Sequence, residues 1–309
     1  MITAELIIKE ALKSLGKPTL NRVETELTNE EYHENKFYIS RSAIMDYDKS
    51  PYTYWAKHLN PFRPKKDATG AMQLGSAFHT MILEPHLFDK NHAVAPTIEP
   101  LPKVGLLRDL GKETYTLQKQ IREKQAALNQ EILDEFELNG VGKIILTTAE
   151  YENLCSMRNK IYLSEPAMQL IGEARIENSF FWQDAHSGLL LKARPDILHD
   201  NMIVDLKTTS DASPRAFQNE MVKYGYHIQF AMIRDAVEKI EGRRITNFIN
   251  LVVETKYPYN MAIYIIDEFA VDEGQVKYKN ICLEMKRSLE ENSFQDYGVQ
   301  QIGLPKWAT

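Results

Sequence analysis

The stretch "ARPDILHDNMIVDLKTTS", Ala193 to Ser210, decides how this chain is read. Two apolar runs, around Ile197–Leu198 and from Met202 to Leu206, flank the polar turn His199–Asn201. That pattern predicts a pair of strands. Side chains alternate along a strand, so Met202, Val204 and Leu206 share one face while Ile203, Asp205 and Lys207 share the other. Asp205 and Lys207 therefore project together, about 7 Å apart along the strand. The preceding strand ends in Pro195–Asp196. Proline is poorly tolerated inside a sheet and marks a bulge or strand end, where a carboxylate can leave the ladder. The turn then brings Asp196 back beside Asp205.

Two carboxylates side by side repel, and each raises the other's pKa unless a cation holds them. Aspartate oxygens suit Mg²⁺ or Mn²⁺. A lysine beside such a metal can position or deprotonate a water and stabilise developing negative charge. Together these groups meet the needs of phosphodiester hydrolysis. The alternative is a hairpin with an ordinary surface Asp–Lys pair. Pro195–Asp196 ahead, a hydrophobic strand on each side and Thr208–Thr209 behind favour the metal site.

The 309-residue chain as a whole is 43% hydrophobic and 26% charged, an ordinary globular composition. No run is long enough for a membrane span. The opening "MITAELIIKEALKSLG" lacks the order of a secretory signal. Cys155 and Cys282 are the only cysteines, which fits a reducing compartment and excludes a disulfide scaffold or a four-cysteine iron–sulfur or zinc site. A cytoplasmic protein is expected. The net charge of -6 argues against electrostatic coating of nucleic acid, but not against a local basic groove. Arg63, Lys65 and Lys66 gather in one loop. Lys103, Arg108, Lys112, Lys119, Arg122 and Lys124 gather in a second group, which reads as a solvated helix face.

Residues 1–36 are polar and read as a loosely attached arm, and 37–309 as a single domain. Helices are expected first: a short one, a Ser50–Pro51 break, an aromatic-rich helix, one stopped before Pro85, a long polar one over 114–137, and one or two over 147–171. Strands follow in "RIENSFFWQD", "GLLLKARPDIL" and "MIVDLKTT". Ser213–Pro214 opens a helix that is interrupted near Gly225 and resumes to about Ile240. "NFINLVVET" and "MAIYIIDEF" are two further strands, and 270–292 a closing helix. The order gives an α/β (α+β) fold around a mixed central sheet flanked by helices, with an N-terminal helical portion. No P-loop, zinc-spaced Cys/His group or nucleophile elbow is present.

"RPD" followed by "VDLKTT" resembles the PD-(D/E)xK nuclease signature. The wider pattern resembles the phage and prophage exonucleases of the RecE (exodeoxyribonuclease VIII) type. Its carriers are "YISRSAIMDYDKSPYTYWAKHL", "AMQLGSAFHTMILEP", "ENSFFWQDAHSGLLLKARPDIL", "YGYHIQFAMIRDAV" and "LPKWA". The resemblance implies a restriction-endonuclease-like core. It implies metal binding by His79, Asp196 and Asp205, catalysis by Lys207, and a place near the active site for Gln229 and Glu177. It also gives Arg194 and Tyr226 to substrate binding. The family often has Tyr four residues beyond the glutamine, where this chain has Ile233. From the residues alone, His79 reads as a packed histidine on an apolar helix, and Glu177 is equally well an exposed strand-edge acid.

The activity so implied is Mg²⁺-dependent hydrolysis of linear double-stranded DNA, Mn²⁺ substituting. Degradation runs 5′ to 3′ and leaves 3′ single strands for a single-strand annealing protein. A ring-like homo-oligomer and a phage or prophage origin belong to the same implication. The alternatives are an endonuclease or single-strand-specific enzyme of the same superfamily, and a nuclease-fold binding module without chemistry.

Overall fold

The computed structural model describes residues 21–64 and 69–304. Residues 1–20 of the expected arm, Lys65 and Lys66 of the basic loop, and the end of "LPKWA" lie outside the described residues. Among the described residues two compact units emerge, one drawn from residues 21–64, 165–254 and 260–304, the other from 69–164 and 255–259.

The first unit holds two sheets. Strand β1 (Arg22–Glu24) lies beside β5 (Ser179–Gln183), which pairs with β6 (Leu190–Ala193), all antiparallel. The larger sheet runs β10 (Met261–Ile265), β9 (Asn247–Glu254), β8 (Met202–Thr209), β7 (Ile197–Leu198), β4 (Arg175–Ile176). Its β8–β9 pair is parallel and the rest antiparallel, so the sheet is mixed. A parallel neighbour requires a crossover. Here the helices Pro214–Tyr224 and Tyr226–Glu241 supply it. They join at Gly225, whose φ of 67° suits glycine, and where a Cβ would lie 2.6 Å from Met45 Sδ.

The second of these helices buries Ile228, Phe230, Met232, Ile233, Ala236 and Val237 in one core with Ile203 and Phe248 of the sheet. Helix Glu268–Glu291 packs against it so closely at Gly274 that a Cβ would lie 2.6 Å from the His227 carbonyl oxygen. The described part of the N-terminal segment is tied to this unit. Besides the β1 pairing, Lys192 on β6 donates to the carbonyls of Tyr32 and Asn35. Ring contacts join Tyr32 and Tyr38 to Phe181.

The second unit pairs β2 (His92–Val94) with β3 (Ile144–Leu146) in parallel. Helix Lys112–Gly140 is the expected long polar helix. Helix Thr148–Tyr162 starts on a reciprocal cap between Thr147 and Glu150. Helix Gly70–Leu83 starts on Thr69, whose hydroxyl accepts the Met72 N–H, and ends just before Pro85. It buries Ala77, Phe78, Met81, Ile82 and Leu83. Among the described residues, no helix is long and apolar enough to cross a membrane.

Candidate active site

The chain changes sheets twice within the first unit, and both crossings carry acids. Between β4 and β5 it passes through Glu177–Asn178, and between β6 and β7 through Arg194–Pro195–Asp196. The Glu177 N–H donates to the Asp196 carbonyl oxygen at 3.1 Å, which holds the two crossings side by side. Glu177 has a φ of 52°. The left-handed region costs a residue with a Cβ about 1–2 kcal/mol, and such strain gathers at functional sites. Pro195 sits where the ladder breaks, as a residue without an N–H must.

The register of β7 on β8 pairs Ile197 with Val204 and Leu198 with Ile203. One step further sets Asp196 opposite Asp205. The Leu206 N–H donates to Asp196 Oδ2 at 2.7 Å, anchoring this carboxylate to β8. Asp196 is 8% exposed and Asp205 only 1%. Buried carboxylates need donors, and Asp205 has three. Gln229 Nε2 donates to Oδ1 at 2.8 Å, Asn250 Nδ2 donates to Oδ2 at 2.8 Å, and Lys207 Nζ lies 2.6 Å from Oδ2. The Lys207 ammonium also sits 5.0 Å from the centre of the Tyr226 ring, within cation–π range. Burial, and then the negative charge of Asp205, push the Tyr226 hydroxyl's pKa up.

Glu177 and Asp196 offer carboxylate oxygens within 4.8 Å of each other. Hard oxygen donors at that spacing are the ligand type of Mg²⁺ or Mn²⁺. The buried Gln229 Oε1 and Asn250 Oδ1 accept no hydrogen bond among the described residues. Such acceptors suit a site that takes up a hydrated cation. The donor set present thus fits a divalent metal.

Asp196, Asp205, Lys207, Gln229 and Glu177 are therefore brought together around the β7–β8 pair. Of the other three expected residues, Arg194 and Tyr226 face protein neighbours. Arg194 donates to Ser179 Oγ at 2.8 Å and to the Leu27 carbonyl at 2.9 Å, and its guanidinium lies 4.3 Å from the Tyr32 ring centre and 3.9 Å from Glu177 Oε2. Tyr226 underlies Lys207. His79 is half-buried on helix Gly70–Leu83 of the second unit. Asn250 was not anticipated. Its signal was available in "NFINLVVET", where it interrupts the alternate apolar set Phe248 and Val252.

A family model described as a PDDEXK-like domain of unknown function, DUF3799, matches residues 40–298. The chain belongs to this family, and its fold is the restriction-endonuclease-like core of the PD-(D/E)xK superfamily. Among solved structures it is similar to a "Putative exonuclease" from Eubacterium rectale, at 15% identity and a TM-score of 0.58, over 91% of this chain and 96% of that one. A likeness at that identity shows the fold. No curated protein matches the chain.

Proposed function

We propose that the protein is a metal-dependent DNA exonuclease of the RecE type, hydrolysing phosphodiester bonds of linear duplex DNA. The observation that carries this reading is the convergence of Asp196, Asp205 and Lys207 on adjacent strands, with Lys207 Nζ 2.6 Å from Asp205 Oδ2. Asp196, Asp205 and Glu177 would hold the metal, with His79 as a further ligand by resemblance. A divalent metal held there would supply Lewis-acid polarisation of the phosphoryl group and would lower the pKa of a water beside it. Lys207 then places its charge where negative charge grows on the phosphate, or takes the proton of the attacking water. Gln229 orients the Asp205 carboxylate through its bond to Oδ1. Arg194 steadies Glu177 and the N-terminal segment, and Tyr226 keeps Lys207 aimed.

Degradation from 5′ to 3′, a 3′ single strand handed to an annealing protein, a ring-like oligomer and a phage or prophage source in a host cytoplasm complete the proposal. Encirclement would reconcile a net charge of -6 with DNA binding, since only the inner surface need be basic. The test is incubation of linear and covalently closed duplex DNA, each strand end-labelled, with Mg²⁺, Mn²⁺ or Ca²⁺. Loss of the 5′ label from linear DNA alone, with Mg²⁺ or Mn²⁺ and little cleavage with Ca²⁺, is expected. Cutting of the closed circle would replace the exonuclease by an endonuclease, and full activity after exhaustive chelation would remove the metal.

A further inference from the structure

Asp205 Oδ2 receives two donors, and they come from opposite chemical classes. One is the Lys207 ammonium at 2.6 Å, the other the Asn250 amide at 2.8 Å. Asn250 stands directly across the β8–β9 ladder from Asp205, and the neighbouring pairs on the same face are Ile203 with Phe248 and Lys207 with Val252. These apolar neighbours are buried, and Asn250 itself is 0% exposed. A polar side chain on such a face carries a desolvation cost that a leucine there would not. Packing therefore does not explain it, whereas the bond to Asp205 does.

We infer that Asn250 is a positioning residue, which holds the Asp205 side chain fixed in place while Lys207 turns from it toward the reacting phosphate. This rests on the nuclease reading above. If Lys207 were the sole partner of Oδ2, releasing it would leave half of a buried carboxylate uncompensated. With Asn250 in place, each oxygen keeps an amide donor: Gln229 on Oδ1 and Asn250 on Oδ2. The lysine is then free to act without Asp205 swinging.

The test uses Asn250→Leu, which keeps the branching at Cγ and suits the apolar surroundings, and Asn250→Ala, which decides the matter if the first does not fold. Mn²⁺ affinity is measured directly by calorimetry without DNA, beside the melting temperature and single-turnover cleavage. The Mn²⁺ dissociation constant should rise by about 10–100-fold, the usual effect of losing a group that orients a metal ligand. Cleavage should slow, while the melting temperature of Asn250→Leu holds or rises. A folded variant that binds Mn²⁺ and cleaves as the parent does would overturn the inference. A parent protein that binds no Mn²⁺ would instead overturn the nuclease reading itself.

Discussion

Lys207 Nζ lies 2.6 Å from Asp205 Oδ2, on a carboxylate that two buried amides also hold. The pair shares a strand face with Ile203, so one end of that face is core and the other is site. The burial that stabilises the sheet thus also lowers the dielectric around the acid and the lysine, which strengthens their interaction.

That relationship predicts the behaviour of Lys207→Ala. Asp205 keeps its Gln229 and Asn250 donors, so fold, metal and DNA binding should survive. Single-turnover cleavage should fall about 100-fold or more, since the missing cation acts where charge develops. Lys207→Arg should restore little, because a planar guanidinium places its charge differently and cannot act as a base. DNA affinity in Ca²⁺ provides the control. If it falls as far as the rate, Lys207 is a phosphate anchor.

The two aspartates should separate on stability while agreeing on activity. Asp196→Asn and Asp205→Asn each remove a charge from the proposed metal site, and each should lose more than the ~10–100-fold typical of a merely supporting group. Asp205→Asn also faces three donors with one acceptor fewer. It should cost about 1–3 kcal/mol of stability, whereas Asp196→Asn should melt near the parent. Urea unfolding beside a cleavage assay checks both, and near-parental turnover in either variant would remove the two-carboxylate site.

Glu177 offers a test in which backbone and side chain pull apart. Its φ of 52° favours glycine. Glu177→Gly should relieve strain while deleting a carboxylate, and Glu177→Ala should delete the carboxylate and keep the strain. Both should lose activity, with the glycine variant melting higher than the alanine one. Activity retained in both would make Glu177 a structural turn residue.

His79→Ala should weaken Mn²⁺ binding, and raised Mn²⁺ should restore part of the rate. A change confined to the melting temperature would assign His79 to the packing of its helix.

Lys192 should give stability an alkaline slope. In the folded protein burial, then repulsion from Lys36 and Arg194, push its ammonium down to about 8 from the usual 10.5. Below the folded value both states hold the proton, and the full penalty of the buried charge applies. Between the two values the unfolded chain binds more protons, so stability rises with pH until both states are neutral. Lys192→Met lacks this contribution. Urea unfolding of parent and variant near pH 7 and near pH 10 should show the parent gaining relative to the variant. A constant difference would mean that Lys192 keeps its proton on the carbonyls of Tyr32 and Asn35.

Much of this was legible in the chain because the relevant signals are local. Alternation fixed the common face of Ile203, Asp205 and Lys207. The Pro195 break announced a carboxylate outside the ladder, and Gly225 announced the helix interruption. Each depends on a few neighbouring residues and on backbone sterics, which act before any tertiary contact forms. Three features depended on tertiary structure. The approach of Glu177 to Asp196 needs two sheet crossings from distant strands, the amide grip of Gln229 and Asn250 needs the crossover that sets β9 parallel to β8, and the capture of Arg194 by Leu27 and Thr28 needs the N-terminal segment laid over β6. The sequence determined which side chains share a face, since that follows from a strand's period of two. Only the tertiary structure decided which donors a buried carboxylate receives, because those partners lie 24 and 45 residues away from Asp205 and meet it through sheet order and register.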